Sequence, residues 1–243
     1  AALTEGIQWE WESFEEYLDA LDRRRWVMDV GTQVPHGALR AYVMGERGAA
    51  NEPATDDDLA EMQRLATSAL RAGALGVSTS RTPLHKSVDG VLVPGTEADE
   101  HEITALGDAL VDAGHGVFQG ALHHPDVPAS FGWMRRLAAR TGRRVTFNFS
   151  QTDQAPDLWR EVADLLDTAR ADGLRAEILA AAAGASASST GGGWADRAAW
   201  ARQLATAASS MREGLGPWSW PSGDDSSVSS GASAVSWNCT RNA

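Results

Sequence analysis

Apolar and polar positions along residues 1–178 follow two alternating periods. Short apolar runs read as strands: Trp26 to Gly31, Leu75 to Ser80, Gly116 to Gln119 and Val145 to Ser150, with a further one starting at Leu174. Their length and their β-branched and aromatic content suit buried parallel strands. Helical stripes lie between them. Leu59, Met62, Leu65, Ala66, Ala69 and Leu70 recur at helical spacing. So do Ile103, Leu106, Leu110 and Val111, then Phe131, Met134, Leu137 and Ala138, then Trp159, Val162, Leu165, Leu166 and Ala169. Thr55 with Asp58 three residues on marks a capped helix start. Gly114, Gly142 and Gly173 mark helix stops. Phe14, Tyr17, Leu18 and Leu21 predict a helix near the N-terminus. Strand starts fall near 27, 75, 116, 145 and 174, the last two intervals about 29 residues, close to the βα repeat of a (β/α)₈ barrel or a doubly wound sheet. No Gly-x-Gly-x-x-Gly or P-loop follows any strand, which lowers the nucleotide-binding version. The expected fold class is α/β: a partial TIM-type barrel of four to five βα units, with a doubly wound sheet as the alternative.

Composition divides the chain. Of its 243 residues, 33 are Asp or Glu and 21 Lys or Arg, for a net charge of −12. All of that charge lies in residues 1–178, because residues 179–243 hold four acids and four bases. In that tail 37 of 65 residues are Ala, Gly or Ser, and five are Leu, Ile or Val. The expected domains are a partial barrel over 1–178 and a low-complexity, disordered tail over 179–243. The abrupt change suggests that the tail, from about residue 177, is translated out of frame. The acidic balance argues against nucleic acid as a partner. No segment has the roughly 20 apolar residues of a membrane span. One cysteine, Cys239, and no signal region give a cytoplasmic expectation.

Candidate chemistry gathers where strands end, the usual place for sites in parallel α/β folds. The four clusters are Thr32, Gln33 and His36; Ser78 to Arg81 with His85 and Lys86; Gln119 with His123, His124 and Asp126; and Asn148, Ser150, Gln151, Asp153 and Gln154. Together they read either as a small-molecule pocket or as ordinary polar loops. His36, after Val34-Pro35, is a candidate metal ligand or carbonyl-polarising group, or else a turn histidine bonding backbone. His123-His124 is a poor metal pair, since neighbours on an extended chain point apart. Arg81 and Lys86, the only lysine, are candidate carboxylate contacts, against a plain salt bridge for Arg81. Asp153 is a candidate base or a turn residue before Pro156. Gln119, Asn148 and Gln151 are candidate pocket hydrogen-bond groups. No nucleophilic triad is readable, and Gly-x-Ser-x-Gly is absent.

Three stretches carry a family resemblance: Glu5 to Asp22, with Trp9, Trp11 and Ser13-Phe14; Asp29 to Arg47, with Val34-Pro35-His36-Gly37; and Gly73 to Thr82. Over about residues 5–175 the chain resembles the N-acyl-D-amino-acid deacylase group of the amidohydrolase superfamily. The resemblance implies a metal-dependent (β/α)₈ barrel with a small β-sandwich, hydrolysing carbon–nitrogen amide bonds of N-acyl amino acids. It implies a divalent metal, zinc by expectation, whose bound hydroxide attacks the carbonyl. His36 matches the family's third-strand histidine. The family's His-x-His pair falls upstream of residue 1, and its late aspartate beyond residue 178. Gly116 to Ala121 lacks the family's metal histidine, as does Thr146 to Ser150. The expected reading is an interior segment of a deacylase-like barrel, inactive alone. The rivals are a truncated non-catalytic fragment and a metal-free barrel enzyme acting on sugars, for which the tryptophans are the hint.

Overall fold

The computed structural model describes residues 9–27, 30–87, 89–149 and 155–180. Helix α1 spans Phe14–Asp22 and opens on a capping box. Glu16 N–H donates to Ser13 Oγ at 3.2 Å, and Ser13 N–H donates to the Glu16 carboxylate at 3.0 Å. Strand β1, Val34–Pro35, leads directly into α2, His36–Met44, followed by the short α3, Glu46–Ala49. Helix α4, Asp56–Ala72, starts on the expected Thr55/Asp58 capping box. Then come β2 (Gly76–Arg81), α5 (Glu100–Ala113), β3 (Val117–Leu122) and α6 (Val127–Thr141). The described chain closes with β4 (Arg144–Phe149), α7 (Leu158–Ala171) and β5 (Ala176–Ala180). Gly114 follows α5 at φ +82°, the left-handed turn that a Cβ disfavours and that frees its N–H to bond Leu110 and Val111 carbonyls.

The sheet has five strands in the order β1-β2-β3-β4-β5, and every neighbouring pair is parallel. Sequential parallel strands joined through helices make a partial TIM-type barrel of four to five βα units. The first strand differs from expectation. It is Val34–Pro35 rather than the run ending at Gly31. Trp26 is 47 % exposed and Val27 fully so, since among the described residues no element covers them. An apolar run marks a strand only where something packs on it.

Alternation along the strands separates two faces. Val77, Phe118, Leu122, Val145, Phe147 and Phe149 are buried on the face turned toward the helices. Phe118 meets Trp133, and Phe147 meets Phe131, each edge-to-face from α6. Met62, Ala66, Ala69 and Leu70 of α4, with Ile103, Leu106, Ala109 and Leu110 of α5, complete the largest buried layer. Two forked ion pairs tie α6 to α5 outside this layer, Arg136 to Glu100 and Arg140 to Asp108. Both are exposed, so each contributes little to stability.

Candidate functional site

The opposite face of the sheet is polar. Register places Ser78 beside Gln119 and Gln119 beside Thr146, one row across β2, β3 and β4. Gln119 and Thr146 are buried, at 8 % and 1 % exposure. One step toward the C-terminal rim, Ser80 and Ala121 share the same face. Asn148 follows on β4, its Oδ1 accepting the Leu122 N–H at 2.8 Å. The expected Gln119 and Asn148 therefore fall on one face with Ser78 and Ser80. These are neutral hydrogen-bonding groups, suited to amides, carbonyls and hydroxyls rather than to ionic recognition.

Arg81 has the parity of Val77 and Thr79, so it turns to the helix side. Its Nη1 donates to the Ala98 carbonyl at 2.5 Å, and its guanidinium lies 5.7 Å from the Trp133 ring centre. Burial lowers its pKa, opposed by Glu102, Asp99 and Glu100. The guanidinium is thus engaged in the β2–α5 connection, away from Gln119. Lys86 is exposed on a small hairpin, paired antiparallel with Leu92 through the backbone. Gln151, together with Ser150, Asp153 and Gln154, lies outside the described residues. His123 bonds Asp126 at 2.9 Å in an exposed turn.

His36 also sits on the helix side. Its ring is 1 % exposed and bonded at both nitrogens. Nε2 lies 2.7 Å from Glu102 Oε1, and Nδ1 lies 2.8 Å from Thr79 Oγ1. A carboxylate only accepts, so Nε2 carries its hydrogen. Nδ1 then accepts the Thr79 hydroxyl when the ring is neutral. The same Glu102 oxygen accepts Arg40 Nε at 2.7 Å, and Arg40 Nη1 donates to the Gly48 carbonyl at 3.1 Å. Arg40 Nη2 donates to the Glu52 carbonyl. Burial raises the Glu102 pKa, but the His36 bond and the His36 and Arg40 charges outweigh it and hold the carboxyl below its ordinary range. This network joins β1's end, β2, α2 and α5. Its geometry leaves His36 no nitrogen for a metal ion.

The sequence reading passed over Arg40 and Glu102. Both carried a signal. Arg40 stands four residues after His36, on the same helix face. Glu102 occupies the buried stripe of α5 beside Ile103 and Leu106, where a lone carboxylate needs a partner.

Among the described residues no three His, Cys, Asp or Glu side chains gather as a metal site. The described part therefore does not fit a metal centre. Among the described residues no helix is long and apolar enough to cross a membrane.

The amidohydrolase family model matches residues 4–216. A D-aminoacylase from Alcaligenes xylosoxydans xylosoxydans is 40 % identical over 77 residues, 32 % of this chain and 15 % of that protein. A D-aminoacylase structure studied for its binuclear metal center aligns with a TM-score of 0.58 at 25 % identity. It takes in 69 % of this chain and 33 % of its own. A second D-aminoacylase structure, described as defining a novel subset of amidohydrolases, aligns with a TM-score of 0.56 over the same shares. The chain thus spans about a third of the solved relatives and less of the curated one.

Proposed function

Because the chain belongs to the amidohydrolase family, we propose that it forms part of the barrel of a hydrolase that cleaves the amide of N-acyl D-amino acids. The observation that carries this is the neutral polar row Ser78, Gln119 and Thr146 on the face away from the helices. Amide side chains and hydroxyls there can hold an acyl carbonyl and an amide N–H through matched donors and acceptors. In the family a divalent metal supplies the activated water, and zinc is the reading we favour. Its ligands are assigned to parts other than the described residues. Gln119 is the main substrate contact, with Asn148 at the rim. Arg81 and Lys86 serve packing and surface roles instead of binding carboxylate. The intact enzyme is read as cytoplasmic.

The test uses the chain as it stands. Ligand-observed NMR with N-acetyl-D-amino acids should show saturable binding, weaker for the L-forms. Gln119→Ala should weaken it about fivefold, the value of roughly one hydrogen bond. Amine release should stay at background with or without zinc. Absence of saturable binding would sink the reading of this face, and metal-dependent turnover would overturn the expected inactivity.

A further inference from the structure

We propose that Ser80 and His85 form a nucleophile and general-base pair at the C-terminal rim of β2, able to accept an acyl group from a small activated ester without a metal ion. Ser80 Oγ and His85 Nδ1 are 2.7 Å apart. A serine hydroxyl is a weak nucleophile unless a base lies within hydrogen-bond reach, about 2.6–3.2 Å, and this pair meets that distance.

The surroundings hold the pair in place. Ser80 is 9 % exposed and fixed by strand pairing to Ala121. Ala121, its neighbour on β3, carries only a methyl side chain and presents no polar group to Ser80. On the other side β1 has already ended at Pro35, two register steps short of Ser80. His85 is pinned through its backbone at the base of a hairpin. Its N–H donates to the Thr82 carbonyl at 3.4 Å, and its carbonyl accepts the Val93 N–H at 3.2 Å. The Lys86–Leu92 bridge and the Ser87 N–H to Val91 carbonyl bond, 2.8 Å, close that hairpin. The backbone is thereby fixed, and the imidazole's own bond is to the Ser80 hydroxyl.

The step runs as follows. Ser80 Oγ attacks the ester carbonyl carbon while its proton passes to His85 Nδ1. The carbonyl π pair moves to oxygen, then returns to expel the alkoxide or phenolate, which takes the proton from His85. Water attacks the acyl-serine with His85 as base, releasing the carboxylic acid and restoring both side chains. This inference is independent of the amide-hydrolase reading and concerns different atoms.

The test treats the chain, in excess chelator, with p-nitrophenyl acetate and separately with a fluorophosphonate, then maps adducts by peptide mass spectrometry. One adduct on Ser80 and a phenolate burst of one per chain are expected. Ser80→Ala should abolish both, and His85→Gln should slow acylation about a hundredfold. Ser130→Ala on α6 should change neither. If His85→Gln loses its cooperative melt, carbethoxylation of the unmutated chain and reversal by hydroxylamine should suppress and restore the Ser80 adduct. Adducts elsewhere only, or none, overturn the proposal and leave the bond as a structural clasp. An unchanged rate in a folded His85→Gln variant overturns the base role.

Discussion

Glu102 accepts from both His36 and Arg40 through one carboxylate oxygen, in a space nearly closed to water. Removing one partner of such a cluster strands the other charge, a loss of about 3–5 kcal/mol. Glu102→Ala should therefore lower the unfolding free energy by that amount in urea titrations. A loss below 1 kcal/mol would mean that the network contributes little. The pH behaviour follows from the lowered pKa of Glu102. A carboxyl whose folded value lies below its unfolded one supplies stability that is fully present above about pH 4.3. That stability drains as the pH falls through the lower folded value. The acid limb of stability in Glu102→Gln should be flatter than in the unmutated protein. At this scale the sequence was legible in kind but not in pairing. His36 stood out because a histidine after a strand is chemically suggestive. Its partners lie 43 and 66 residues away, and only the register of β1 on β2 and the docking of α5 bring them within reach.

Among the elements, β2 and β3 leave no room for a side chain at Gly76. A Cβ there would fall 2.0 Å from the Val117 carbonyl oxygen, so the strands could pair only by moving apart. Gly76→Ala should cost at or above the roughly 3 kcal/mol upper range of overpacking. Thermal melting by circular dichroism would show it, and a change under 1 kcal/mol would contradict the backbone clash. Thr55→Ala removes one half of the α4 capping box and should cost about 1 kcal/mol in the same assay. The helices were readable because Thr55, Asp58 and the glycines after α5, α6 and α7 act locally, through caps and stops formed by near neighbours. The first strand was not, because Trp26 and Val27 supply apolar character without burial. Val34–Pro35 becomes a strand only by lying beside Val77 and Ser78.

Over the whole molecule, β1 and β5 are the outer strands, and among the described residues neither has a partner on its far side. Strand β1 is two residues long and ends in proline, a short edge that resists further pairing. Strand β5 is longer and carries a row of backbone groups. The break in composition near residue 178 was plain in the sequence, yet the family match continues to residue 216. Amino-acid content reports how a segment is built, whereas family likeness reports where its positions recur. The two need not change at the same residue. The rim of the sheet has a geometry of its own. Pairing of β3 with β4 stops at Gly120 and Phe147, while β2 with β3 and β4 with β5 continue to their ends. Asn148 reaches across the interval to Leu122, lending a side-chain oxygen where a main-chain carbonyl would stand. The staves of the barrel can part there without leaving the Leu122 donor dry, because one amide oxygen closes the gap in the ladder.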